Sequence, residues 1–157
     1  MIVRPTSASD CLAVREVVLS SVDSSREVYT DAQVDMWRQS LSSKDFATTI
    51  EETFSFVAVR DNVVIGFANL ITRQEREGEL DLLYVGANHC RTGVGGALVA
   101  VVEREARAEA MTHVWADASL LATSLLESLG YRVVERYSKS LNGVTFENSR
   151  LVKAPDA

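Results

Sequence analysis

One stretch limits what this chain can fold into more than any other: Gly78 to Leu98, reading GELDLLYVGANHCRTGVGGAL. Glu79 to Val85 has the apolar, β-forming content of a buried strand. The loop that follows carries Arg91, Thr92, Gly93, Gly95 and Gly96. From Gly93 to about Ala110 the pattern becomes that of a long amphipathic helix. Val94, Ala97, Leu98, Val101 and Val102 form its apolar face, with Glu103, Arg104, Glu105 and Arg107 largely outside it. A strand, a glycine-rich turn and a helix N-terminus together make a place for a phosphate. The helix supplies unpaired N–H groups and the positive end of its dipole, and the glycines let backbone approach a ligand closely.

The remaining segments frame this stretch. Ile2 to Arg4 reads as an edge strand. Ser7-Ala-Ser-Asp10 is a capping box that opens a helix running to about Val22, with a loop from Asp23 to Val28. Thr30-Asp-Ala-Gln33 caps a second helix, in which Val34, Trp37 and Leu41 recur at helical spacing. Lys44 to Thr53 is ambiguous and fits a further short helix. Phe54 to Arg60 and Val63 to Thr72 form a hairpin about Asp61-Asn62, and Gly66 marks a bulge or a close backbone approach. After the long helix come a strand at His113 to Ala118 and a helix from Ser119 to Leu129, stopped by Gly130. A closing hairpin, Tyr131 to Ser140 and Val144 to Val152, turns at Asn142-Gly143. Helices and strands alternate in this way without a repeat or a linker, so the chain reads as one α/β domain over residues 1–157 with a mixed sheet.

Composition excludes several classes of function. The formal net charge of −6 argues against nucleic acid as a partner, since phosphate binding needs a basic patch. No apolar run approaches the ~18 residues of a membrane span. Arg4-Pro5 follows the start without an apolar signal core. Cys11 and Cys90 have no metal-ligand spacing and suit a reducing, cytoplasmic setting. No metal and no membrane partner are expected.

Two phosphate-loop types fail on residues their chemistry requires. A Walker A loop ends in Gly-Lys-Ser/Thr, whereas Gly95 is followed by Gly96 and Ala97. A dinucleotide fingerprint needs a third glycine where Leu98 stands. The third type fits. The strand, the loop Gly93-Val-Gly95-Gly-Ala-Leu98 and the long helix resemble the acetyl-CoA-binding core of the GNAT N-acetyltransferases, with their Gln/Arg-x-x-Gly-x-Gly/Ala motif. Cys90 departs from the first position of that motif. Tyr29 to Trp37, the segment from Ala118 to Tyr131, and Asn142 to Lys153 also resemble a bacterial branch of the family.

The resemblance implies the GNAT acyl-CoA N-acyltransferase fold, a mixed central sheet of about seven strands flanked by about four helices. It implies acetyl-CoA as donor and a small-molecule amine or peptide as acceptor. Arg91, Thr92, Gly93, Val94, Gly95 and Gly96 would line the coenzyme pyrophosphate. Leu83, Tyr84 and Val85 would offer backbone groups to its pantetheine arm, because in the family this strand splays from its neighbour. Glu79 or Asp81, two residues apart and so on one strand face, would deprotonate the amine. Many members place a tyrosine acid where this chain has Leu126, leaving Tyr84, Tyr131 and Tyr29 as substitutes by type. Glu27, Tyr29, Trp37, Glu75 and Glu77 come from the acceptor side, with Trp37 equally readable as core. Dimers are common in the family, and the final hairpin offers a pairing edge for a homodimer. The lapse at Leu126 leaves a second reading open, a catalytically weak acyl-CoA-binding domain acting as a sensor or partner subunit.

Overall fold

Local capping chemistry sets the first half of the fold in this computed structural model, which describes residues 1–155. Asp156 and Ala157, the end of the domain expected over 1–157, lie outside the described residues. Strand β1 (Ile2–Pro5) gives way to a 3-10 turn at Ala8–Asp10, where the Ser7 N–H donates to the Asp10 carboxylate over 2.8 Å. Arg4 donates to the same carboxylate at 2.8 and 3.0 Å, tying β1 to the start of α1 (Cys11–Asp23). Ser24–Glu27, expected as loop, makes one 3-10 turn. Helix α2 (Asp31–Ser42) opens on a reciprocal box. Thr30 Oγ1 accepts from the Gln33 N–H at 3.2 Å, and Gln33 Oε1 accepts from the Thr30 N–H at 3.0 Å. The ambiguous segment folds as α3 (Phe46–Glu52), because the Asp45 carboxylate caps it by accepting from the Thr48 N–H at 3.2 Å. The described residues therefore hold five α-helices where about four were expected.

Strands β2 (Phe54–Arg60) and β3 (Val63–Thr72) meet at Asp61-Asn62, both left-handed with φ of 50° and 62°. A turn at Gln74–Arg76 leads to β4 (Glu77–Val85), and α4 (Val94–Ala108) returns the chain to β5 (His113–Ala118). Helix α5 (Leu120–Ser128) precedes β6 (Arg132–Leu141) and β7 (Val144–Lys153), joined at the left-handed pair Asn142-Gly143. The seven strands lie in the order β1-β2-β3-β4-β5-β7-β6, so the last strand inserts between β5 and β6. All neighbours are antiparallel except β4 and β5, whose crossover is α4.

Each face of the sheet has its own core. On one, Leu98, Val102 and Ala106 of α4 pack against Leu70, Leu80, Val114, Ala116 and Leu151. On the other, Val14, Val18 and Val34 of α1 and α2 cover Val57, Phe67, Leu82 and Phe146. The buried stripe of α4 is rotated from the expected one: Val99 and Ala106 are buried, while Ala97 and Val101 are only half so. Glu103, expected outside, is buried. Lys153 at the end of β7 donates to both its oxygens at 2.9 and 3.2 Å, which makes that burial tolerable. Among the described residues no helix is long and apolar enough to cross a membrane.

Candidate active site

The site begins with one extra residue in β4. Asn69 stands opposite Leu82 and Leu70 opposite Leu80, so Asp81 is a β-bulge. Asn69 holds it there. Its side chain is fully buried, its Oδ1 accepts from the Leu82 N–H at 2.8 Å, and its amide nitrogen reaches Thr53 Oγ1 at 3.3 Å and Asp81 Oδ2 at 3.4 Å. Sequence reasoning missed Asn69. The signal was present as a lone amide inside the apolar run VVIGFANLIT, where a buried polar group must find partners.

Below the bulge β4 pairs with β5; above it the two strands part. Their ladder consists of Glu77–His113, Gly78–Val114 and Glu79–Trp115 alone. Leu83, Tyr84 and Val85 pair on one side with Ala68, Phe67 and Gly66 of β3 and have no partner on β5. A wedge thus opens at the carboxyl ends of the two parallel strands, where α/β sheets bind ligands. Gly66 seats α4 beside it. A Cβ there would meet Leu98 Cδ1 at 2.9 Å and Val94 Cγ1 at 3.0 Å, and the β2–β3 register also shifts at this place.

The start of α4 faces the same end of β4. Gly93 caps it with φ of 87°, and Arg91 before it is also left-handed at 61°. The first intrahelical bond runs from the Ala97 N–H to the Gly93 carbonyl at 3.1 Å, so the amides of Val94, Gly95 and Gly96 precede the helical ladder. Thr92 spends its hydroxyl inside the loop, donating to the His89 carbonyl at 2.6 Å. Gly95 has a packing reason as well, since a Cβ there would stand 2.7 Å from Leu125 Cδ2 of α5. Cys90 is exposed, with its sulfur 3.6 Å from the Gly86 carbonyl oxygen.

The two carboxylates differ in their partners. Glu79 takes both the Nε and Nη2 of Arg73 on its Oε2, the former at 2.6 Å. Asp81 has the long contact to Asn69 and no cationic partner among the described residues. Both sit on the strand face opposite Leu80, the side covered farther along by α1 and α2. Glu27 and Glu75 are exposed, and Glu77 accepts from Trp115 Nε1 at 3.1 Å.

Aromatic side chains gather on that same face. Trp37 Nε1 donates to Tyr84 Oη at 3.3 Å, with ring centroids 6.1 Å apart. Tyr29 meets Trp37 edge-on at 5.5 Å and Phe146 at 6.3 Å, and its hydroxyl oxygen accepts from the Leu120 N–H at 2.9 Å. Burial pushes the Tyr84 phenol up to about 12, opposed by the Trp37 bond and aided by the charge of Asp81. Leu126 is 1% exposed, within the core under α4. Tyr131 belongs to that core too. Burial, and then the nearby Glu103, push its phenol up. Of the three tyrosines, only Tyr84 lies on a strand that borders the wedge.

Known proteins share this fold. The model of the acetyltransferase (GNAT) domain matches residues 25–152. No curated protein matches the sequence. Among solved structures, a GCN5-related N-acetyltransferase from Rhodopseudomonas palustris superposes with a TM-score of 0.86 at 23% identity, over 98% of this chain and 94% of its own. The PaiA N-acetyltransferase of Thermoplasma acidophilum, in complex with coenzyme A, gives 0.76 at 18% identity over 98% of both chains. A ribosomal-protein-alanine N-acetyltransferase from Brucella melitensis gives 0.73 at 20%, covering 98% of this chain and 99% of the other. At such identities the likeness is one of fold, and the family rests on the domain model, which spans most of the sequence. The chain belongs to the GNAT acetyltransferase family.

Proposed function

We propose that the protein transfers an acetyl group from acetyl-CoA directly to a primary amine. One observation carries this reading: the β4–β5 ladder stops at Glu79–Trp115, and the uncovered end of β4 leads straight into the amides at the start of α4. These features fit the coenzyme. Arg91 to Gly96 would hold its pyrophosphate, and the backbone of Leu83 to Val85 its pantetheine arm. When bound, it supplies the acetyl group as a thioester.

The side chains then divide the work. Asp81 takes the proton from the attacking amine, because among the described residues no cation faces its oxygens, whereas Glu79 Oε2 is already claimed by Arg73. Glu79 adds negative charge on the acceptor side. Tyr84 is a poorer donor of the leaving group's proton than an ordinary phenol. With its phenol pushed up to about 12, it holds its proton more tightly than an ordinary thiol at about 8.5. The thiolate leaves unassisted, and the burial of Leu126 needs no replacement acid.

That burial also favours the second reading, an acyl-CoA-binding domain with weak turnover. The unbridged Cys11 and Cys90 suit a cytoplasmic setting, and the free edge of β6 is where a second copy would add. Calorimetry with acetyl-CoA, CoA and ATP, followed by an amine panel read by released thiol, separates these readings. Acetyl-CoA binding with turnover is expected. Binding without turnover on any amine favours the sensor, and preference for ATP refutes both. Asp81→Asn is expected to lower kcat by about a hundredfold, in line with loss of a general base. Glu79→Gln should act mainly on KM. The reverse pattern would exchange the two roles.

A further inference from the structure

On the face of the sheet away from α4, contacts run from β4 to the elements beyond β5. The bridge can be followed atom to atom. Tyr84 starts it on β4, and Trp37 of α2 is bonded to the Tyr84 hydroxyl. Tyr29 lies edge-on to Trp37. From Tyr29 the contacts reach the far bank of the wedge, through Leu120 at the start of α5 and Phe146 of β7. Four aromatic rings therefore cross from one splayed strand to the elements beyond the other. Tyr29 and Phe146 are buried, while Trp37 and Tyr84 keep some exposed surface.

The strap is fastened along its length. Helix α2, which carries Trp37, is tied to the final hairpin by a bond from Gln33 Nε2 to the Thr145 carbonyl at 2.9 Å. A second contact joins Asn142 Nδ2 to Met36 Sδ at 3.7 Å. These links close the space between α2 and the β6–β7 turn. A long, extended acceptor crossing this face over the wedge would have to displace them.

We propose that this strap is the size-selecting wall of the acceptor site, restricting it to compact primary amines and rejecting amines carried on a polypeptide. The proposal rests on the acetyl-transfer reading above. Trp37 and Tyr84 are its contact surface, and the Tyr29–Leu120 bond is the catch that keeps the wall in place. Aromatic rings suit the role because they are rigid and apolar, and they attract a cationic head group before it is deprotonated.

The test uses the full chain with acetyl-CoA and a series of primary amines: propylamine, phenethylamine, tryptamine, and a short peptide with a free N-terminus. Wild-type kcat/KM should fall by at least about tenfold from the smallest amine to the peptide, the discrimination a shaped apolar pocket provides. Trp37→Ala should reverse or erase that ratio. Tyr29→Phe keeps the ring, loses the catch and should relax the ratio partly; it decides the matter should Trp37→Ala not fold. A peptide acetylated as well as propylamine, or a ratio unchanged in both variants, overturns the proposal.

A second readout does not need turnover. The chain has two tryptophans, Trp37 and Trp115, hence two indole N–H resonances. With acetyl-CoA bound, compact amines should move the Trp37 signal, and the peptide should not. If acetyl-CoA binds and no amine moves it, the strap is not the acceptor wall, while the coenzyme site stands. If acetyl-CoA does not bind, the transfer reading itself falls and takes the wall with it.

Discussion

Replacing Gly93 with alanine tests the start of α4 at its most demanding position. Gly93 holds φ of +87°, and nothing lies within 4 Å of where its Cβ would stand, so the cost is conformational and not steric. Left-handed backbone costs a residue with a Cβ about 1–2 kcal/mol. In a chain of 157 residues each kcal/mol moves Tm by about 2–4 °C, so Gly93→Ala should melt about 2–8 °C lower. Gly96→Ala is the internal control. Its Cβ would meet Leu129 Cδ2 at 4.0 Å, an ordinary contact, and alanine in place of a helical glycine gains up to about 1 kcal/mol. It should melt at or above the wild type. Differential scanning calorimetry reads both, and titration with acetyl-CoA reads the consequence for binding. If the Gly93→Ala loop relaxes to right-handed backbone, the amides of Val94 to Gly96 turn away. Each 1.4 kcal/mol of lost contact then raises Kd about tenfold. A Gly93→Ala protein that melts with the wild type, or a Gly96→Ala protein that melts below it, refutes the reasoning.

Other expectations follow from burial and charge. Leu126→Tyr places a larger ring and a hydroxyl in a fully packed core; overpacking of this kind costs about 1–3 kcal/mol, so Tm should fall with no gain in kcat. A rise in kcat at unchanged Tm would show that the position faces the site. Asp10→Asn removes the negative charge and one of the two oxygens that accept from Arg4 and the Ser7 N–H, and should cost about 1–2 kcal/mol at neutral pH, the order of a hydrogen bond to a charged group. The bonds from Arg4, ahead of those from Ser7, hold the Asp10 carboxyl below its ordinary range in the folded state. Its contribution is therefore complete above the unfolded value of about 3.9 and fades as the pH falls below it. The gap in Tm between wild type and Asp10→Asn should narrow between pH 7 and pH 3; a constant gap would assign the loss to packing.

Short-range features of this fold were legible, and partner-dependent ones were not. The boxes at Ser7–Asp10 and Thr30–Gln33, the turn at Asn142-Gly143 and the helix stop at Gly130 depend on neighbouring residues, so the sequence carries them whole. Helix α3 stayed ambiguous because seven residues are too few for a periodic signal, and its deciding group, Asp45, stands outside it. Glu103 was misplaced because its partner, Lys153, lies fifty positions away on the last strand. The glycine loop and the splayed strand were readable through the motif and its family. The separate circumstances of Glu79 and Asp81 were not, since they depend on Arg73 and on a bulge that Asn69 holds from the neighbouring strand. Trp37 was readable either as core or as part of the acceptor side, and its bond to Tyr84, forty-seven positions away, was not legible in either reading.

The short β4–β5 ladder also bears on how the molecule assembles. Strands β1 to β4 form one continuous antiparallel run that α4 packs against, and β5, β7 and β6 form another that α5 packs against. Three residue pairs join the two runs. Each run can zip from its own hairpin, whereas the parallel junction must wait for α4 to close a long loop, the slowest kind of contact to form. The junction is thus expected to form last and to open first. Amide exchange at Glu77 to Glu79 and at His113 to Trp115 should be faster than along β2 and β3. A molecule lodged in the wedge touches both runs at once and so acts as a splint. It would slow exchange on both banks of the junction, including strands it never meets.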